Sequence, residues 1–261
     1  MDGNSAQVER VPGLKMRLAA FLAALTVLAG CATKPAAPVN QVSPAPATSS
    51  PSRPGNDQIL AKAATIPPAP FEGEGWQTLS DGHTLDKWTV TEFGGHGEVR
   101  CENGLIILGM GDALTGIHWT NDAPKVNYEV ALDAMRVEGS DFFCGLTFPV
   151  SESHCSLILG GWGGSVVGIS SIDGNDASEN ETSQSLTFEK GRWYRVRVRV
   201  TPTKIEAWLD DKQIVDLVTT GHKISMRFGE IELSKPLGIA TWQTTGALRQ
   251  IKMRRIDSAA K

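Results

Sequence analysis

The chain has 261 residues, 41% of them apolar and 21% charged, with a formal net charge of −4; this is a globular composition, and it excludes a disordered acidic tail and a basic nucleic-acid binder. From residue 71 onward 19 Lys and Arg stand against 26 Asp and Glu, with no unopposed basic run, so no nucleic-acid partner is expected. With four cysteines but no Cys-x-x-Cys and no His-x-x-x-His spacing, a structural zinc site is not expected.

The first seventy residues read differently from the rest. Met16 and Arg17 precede an apolar run over 18–30 that ends at Cys31. Thirteen residues are too few to span a bilayer as a permanent helix, so the layout is that of a charged n-region and a short h-region. The ending Leu28-Ala29-Gly30-Cys31 resembles the lipobox of bacterial lipoprotein signal peptides, in which the cysteine is acylated and becomes the mature N-terminus. The alternative is an ordinary secretory signal with a chance cysteine. Asp2 and Glu9 do not belong in an n-region, which makes Met16 the expected start. Residues 1–30 are thus expected as signal peptide and Cys31 as the lipidation site. Residues 31–70 are expected as a disordered tether, because 32–70 hold nine of the fourteen prolines among Ala, Ser and Thr. At most one or two helical turns are expected at 59–64. The expected location is the bacterial cell envelope, on a membrane through the lipid; Ala32 in place of an aspartate favours the outer membrane, periplasmic or surface.

Residues 71–261 suffice for one domain with its own core. A short strand at 76–79 runs into the turn Ser80-Asp81-Gly82-His83, and Asn103-Gly104 between two alternating runs signals a hairpin. Strands follow at 115–120, 128–137, 141–148, 154–160 and 166–171, then a polar loop over 171–183. The pattern is plainest at 191–216. Tyr194, Val196, Val198 and Val200 alternate with Arg195, Arg197 and Arg199, the period of a half-buried strand, and Ile205, Ala207 and Leu209 resume the apolar set. Pairing about the turn at 201–204 sets Val200 opposite Ile205, Val198 opposite Ala207 and Val196 opposite Leu209. On the other face it sets Arg199 against Glu206, Arg197 against Trp208 and Arg195 against Asp210. Strands at 237–242 and 248–256 close the chain. About a dozen short strands and no convincing amphipathic helix place the domain in the all-β class, a sandwich or barrel. Cys144 stands several residues further from the turn at 150–153 than Cys155, so the two do not oppose each other and are expected as buried free thiols.

Three segments together resemble one family. GWQTLSDGHTLDKW at 75–88 is similar to its N-terminal signature, GRWYRVRVRV with IEAWLDDKQIVD at 191–216 to its tryptophan-bearing hairpin, and PLGIATWQTTGALRQIKMRRI at 236–256 to its closing strands. The family is the 3-keto-disaccharide hydrolase-like domain, and the resemblance covers essentially all of 71–261. It implies a two-sheet antiparallel jelly-roll sandwich of the concanavalin A or laminin G kind, acting as a hydrolase or lyase on 3-keto glycosides and often secreted or lipid-anchored. Where family members carry Glu and Gln on one strand, this chain has His154 and Ser156, so a carboxylate expected on the concave face is missing.

The candidate site residues follow from chemistry and placement. Asp141 precedes a strongly apolar strand, which puts its carboxylate at a sheet rim as the candidate general base; the alternative is a turn cap. His154 is the second catalytic candidate. Trp162, between two glycine pairs, is a platform for the apolar face of a sugar, or else a cap on the core. Arg197 beside Trp208, and His118, are candidate substrate-binding residues, with a self-satisfied charge ladder and a structural histidine as the alternatives. Asp173, Asn175, Asp176 and Glu179 crowd the hard oxygen ligands that calcium takes, though without the EF-hand glycine and closing glutamate; a plain polar loop is the alternative. The expected function is cleavage of 3-keto glycosides at the cell envelope with a carbohydrate as partner. The alternatives are a glycan-binding module and an envelope interaction domain without a sugar ligand.

Overall fold

A computed structural model describes residues 54–256; the expected signal peptide and the lipidation site Cys31 lie outside the described residues. In chain order the strands are β1 (Gln77–Ser80), β2 (Trp88–Val90), β3 (Val99–Glu102), β4 (Leu105–Leu108), β5 (Leu114–Trp119), β6 (Tyr128–Gly139), β7 (Cys144–Val150), β8 (Ser153–Gly161), β9 (Val166–Ser170), β10 (Gln184–Ser185), β11 (Trp193–Val200), β12 (Lys204–Leu209), β13 (Lys212–Val218), β14 (Gly238–Trp242) and β15 (Thr244–Arg255). The first sheet runs β13-β12-β11-β6-β15-β4-β3, with β1 also on β15, and the second runs β10-β9-β8-β7-β14-β5-β2. The two antiparallel sheets form a jelly-roll sandwich, the all-β class expected from the periodicity. Among the described residues no helix is long and apolar enough to cross a membrane.

The alternation in each strand decides the core. Tyr128, Val130, Leu132 and Ala134 of β6 join Val196, Val198 and Val200 of β11 and Ile205 and Ala207 of β12 on the inner face of the first sheet. From the second sheet they meet Leu146 and Phe148, Cys155, Leu157 and Leu159, and Val167 and Ile169. The register of β11 on β12 is the expected one, with Val196 opposite Leu209, Arg197 opposite Trp208 and Val200 opposite Ile205. Cys144 pairs with Leu159 and Cys155 with Phe148, and both thiols are free and buried. Burial pushes the Cys144 thiol up to about 12.

The outer face of the first sheet carries charge that is not solvated. Glu129 and Asp133 are 0% and 3% exposed. Glu129 accepts bonds from Arg197, Arg199 and Arg254 at 2.9, 2.7 and 2.6 Å, and Asp133 from Arg195 and Arg249 at 2.9 and 3.1 Å. Arg195 thus turns its guanidinium to Asp133 on the neighbouring strand, while its backbone N–H donates to Asp210 at 2.9 Å. Aromatic rings stack between the cations: Arg197 lies 3.8 Å from the Trp208 ring centroid and Arg249 4.2 Å from that of Trp193.

The same arginines explain why the folded body begins earlier than expected. Helix α1 (Pro54–Thr65) lies within the segment expected as tether. Proline fits the first turn of a helix, and Pro67-Pro68 beyond its end cannot continue it. Leu60 and Ala63 are buried against Leu105, Ile107, Met135, Val137 and Ala247, the outward apolar residues at one end of the first sheet. Beyond the helix, guanidinium groups hold the backbone: Arg195 donates to the carbonyls of Ala69 and Pro70, and Arg254 to those of Glu72 and Glu74. The segment's proline content hid both the apolar spacing that seats α1 and the carbonyls of Ile66, Ala69 and Pro70 that arginines hold.

Candidate functional site

The outer face of the second sheet is shaped differently. Its outward side chains include Ser156 and Ile158 of β8, Ser170 of β9, Leu114 of β5 and Ala240 and Trp242 of β14, by the same alternation that buries their neighbours. Gly145 of β7 leaves room for Phe142, whose ring would stand 3.0 Å from an added Cβ. A returning segment over 219–237, with a short 3-10 helix at Glu230–Ser234, crosses part of this face, and its Ile231 packs with Phe93, Leu114 and Ala240. What stays open is a cavity of about 480 Å³ lined by Asp141, Trp162, Arg227, Phe228, Glu230 and Trp242, among others. That volume is within the usual ~300–1,000 Å³ of small-molecule sites.

Trp162 sits at the tip of the β8–β9 turn with φ of 49°, followed by Gly163 and Gly164 at 87° and 120°. It is 43% exposed and borders the cavity, so it presents an open ring and does not cap the core. Two groups hold its turn. The Asp141 carboxylate accepts the N–H of Phe142 at 2.7 Å through Oδ1 and that of Gly163 at 2.9 Å through Oδ2. Beneath them the buried Arg136 donates through Nη2 to the carbonyls of Asp141, Gly160 and Gly164 at 3.0, 3.3 and 3.1 Å. The Arg136 guanidinium lies 5.2 and 5.7 Å from the rings of Phe143 and Phe188, and burial pulls its pKa down.

Across the cavity, Arg227 stands 5.8 Å from the Trp162 ring centroid and donates to Asp176 Oδ2 at 2.5 Å. Asp176 is itself oriented by the hydroxyls of Ser170 and Ser171, which donate to its Oδ1 at 3.1 and 2.9 Å. Glu230 accepts the N–H of Gly94 at 3.1 Å. The acidic loop's candidate calcium ligands Asp173 and Asp176 have other partners here. Asp176 faces Arg227, Asp173 accepts from the Lys223 N–H and pairs with His222 Nδ1 at 2.7 Å, and Asn175 and Glu179 are exposed. Among the described residues no three His, Cys, Asp or Glu side chains gather as a metal would need.

The remaining candidates lie elsewhere. Arg197 and Trp208 are on the outer face of the first sheet, the opposite side of the sandwich, locked by Glu129, and do not join Trp162. His118 and His154 share the outer face of the second sheet but not the cavity. His118 Nδ1 is 3.0 Å from the Thr91 hydroxyl, and burial lowers its pKa. Burial, with Lys235 and Lys125 nearby, likewise lowers that of His154. Sequence reasoning placed Asp141 and Trp162 and missed Arg227, Glu230 and Trp242. Arg227 and Glu230 sit in a segment without periodicity; Trp242 was assigned to a strand with no face attached.

A family model described as the 3-keto-alpha-glucoside-1,2-lyase-like domain matches residues 75–254. No curated protein sequence matches the chain. In structure it is similar to the Crh5 transglycosylase in complex with NAG, at 10% identity and a TM-score of 0.49 over 72% of this chain and 86% of that one. It is similar also to a native glycosidic hydrolase, at 8% identity and 0.48 over 71% and 98%. A third likeness is to the carbohydrate binding module CBM66 from Bacillus subtilis, at 12% identity and 0.44 over 64% and 95%.

Proposed function

The chain belongs to the family of 3-keto-alpha-glucoside-1,2-lyase-like domains, and from that premise we propose that its cavity takes a 3-keto glycoside and cleaves it by elimination across C1 and C2. The carbonyl at C3 acidifies the proton on C2. A general base removes that proton, and the electron pair moves onto the carbonyl oxygen as an enolate. The enolate then collapses: C3=O re-forms, a C1=C2 double bond is made, the C1–O bond breaks, and the leaving oxygen takes a proton from solvent at the open mouth. Asp141 is the base in this reading, and Arg227 is the cation that steadies the enolate oxygen.

The observation that carries the reading is the meeting of these two groups on one cavity with Trp162 between them. Asp141 is bonded to the Trp162 turn and Arg227 lies over its ring. The strand β8 carries His154 and Ser156 and no carboxylate on the cavity face, so a carboxylate base comes from another element. The test is incubation with 3-keto-trehalose in D2O. Elimination gives an unsaturated 3-keto sugar and free glucose, with no solvent deuterium at C1; direct hydrolysis without the unsaturated product argues against it.

A glycan-binding module is the second reading, because both Asp141 oxygens already receive a backbone N–H, as a purely structural carboxylate's do. Trehalose binding that is lost in Trp162→Ala, without turnover of the 3-keto sugar, selects it. The domain order of signal peptide, lipidated Cys31 and sandwich, and the place at the bacterial envelope, belong to the same proposal. Cys31→Ser is expected to release the protein from membranes or leave its precursor unprocessed; unchanged fractionation and mature mass remove that part.

A further inference from the structure

The cavity has two ends of different chemistry, set by strand order. Over β8 and β9 lie Ser156 and Ser170, with Trp162, Arg227 and Asp141 around them. Over β14 and β5, on the far side of β7, lie Trp242, Leu114, Ala113 and Ile231. Phe228 stands at the mouth, 94% exposed, and Trp242 is 38% exposed. Large apolar side chains left open on a soluble fold are uncommon in clusters and mark a contact surface. Here they converge on one cavity. The charged group at this end, Glu230, has both carboxylate oxygens within hydrogen-bond distance of the Gly94 N–H.

We infer that the end over β14 and β5 is a subsite for a flat, apolar aglycone, an aryl or arylmethyl group, and not for a second sugar ring. The inference rests on the elimination reading, which places the 3-keto ring over β8 and β9 and its leaving group across β7. A second hexose there would turn most of its hydroxyls onto Leu114, Ala113, Ile231 and the Trp242 ring, which leave it only the indole N–H and the lone pairs Glu230 does not give to Gly94, and would lose its water in doing so. An aromatic ring loses no such bonds and gains contact with Trp242 and Phe228.

The experiment compares benzyl 3-keto-alpha-glucoside with 3-keto-trehalose. The anomeric hydroxyl of glucose is a more acidic leaving group than benzyl alcohol, so kcat is not compared; KM, read against the double variant, reports recognition. The benzyl compound is expected to show a KM about tenfold lower, as two aromatic contacts supply. In the Phe228→Ala/Trp242→Ala double variant the ratio is expected to fall to about twofold or less. Equal KM values in the wild type, or a preference that survives the double variant, overturn the subsite. If neither compound is turned over, the elimination reading falls and the subsite is judged separately by calorimetry with benzyl alpha-glucoside against trehalose. Tighter binding of the benzyl compound that the double variant loses supports it, and equal or absent binding of both overturns it.

Discussion

Asp141 Oδ2 accepts the backbone N–H of Gly163 at 2.9 Å, which makes the candidate base a structural part of the turn that presents Trp162. Position and reactivity are therefore tied. Asp141→Asn keeps one acceptor oxygen and sets an amide N–H against a backbone N–H. Turnover of a 3-keto glycoside is expected to fall by ~10²–10⁴, and stability by ~1–3 kcal/mol. Melting temperature and kcat are measured on the same preparation. A lower melting temperature with full kcat per folded molecule assigns Asp141 to the turn alone.

Arg136 is buried, and one of its nitrogens serves three carbonyls at the base of that turn. Arg136→Met leaves all three without a donor, which is expected to cost on the order of 3 kcal/mol. Arg136→Lys keeps a cationic donor and is expected to lose less. Urea denaturation orders the three proteins; Met as stable as Lys contradicts the role.

Glu129 is the shared acceptor of Arg197, Arg199 and Arg254 on the first sheet. Burial by itself raises its carboxyl pKa, but the bonds from Arg199 and Arg254 more than offset this and hold it below the ordinary value. Its stabilising contribution is thus full above the unfolded carboxylate's pKa of about 4.3 and is lost as pH falls through the lower folded one. Glu129→Gln is expected to cost about 3–5 kcal/mol at pH 7. The gap between variant and wild type should close in acid. A gap that does not change from pH 7 to pH 3 contradicts the assignment.

His222 joins the returning segment to the acidic loop, with Nδ1 2.7 Å from Asp173 and Nε2 3.4 Å from Glu181. The bond to Asp173 raises the His222 pKa; the Lys223 N–H and His222 lower that of Asp173. The histidine's contribution is complete below about 6.5 and is lost as pH rises through its raised folded value. The aspartate's is complete above about 3.9 and lost as pH falls through its depressed one. His222→Gln is therefore expected to differ most from wild type near pH 5 to 6 and to converge with it on the alkaline side. Melting curves from pH 5 to 9 check this, and a constant difference across that range contradicts it.

Local periodicity made much of the fold legible. The alternation of Tyr194 to Val200 with three arginines, and its resumption at Ile205, determined the faces and register of β11 and β12, because side chains alternate along any strand and a one-residue slip would reverse them. It also placed Asp141 at a strand entry and Trp162 at an open turn. What alternation cannot say is which of two outer faces a ligand meets. Arg197 and Trp208 had the right chemistry and stand on the face sealed by Glu129, whereas Trp162 stands on the other. Counting the acidic loop's carboxylates together could not show how each one is turned. The fold turns Asp176 to Arg227 and Asp173 to His222, partners about fifty positions away in the chain. Helix α1 was hidden for the same reason: its apolar residues have meaning only against Leu105, Met135 and Ala247 of the first sheet. The cavity, its cation and its second tryptophan come from segments that the chain's return brings together, and non-local contact of that kind leaves no period in the sequence.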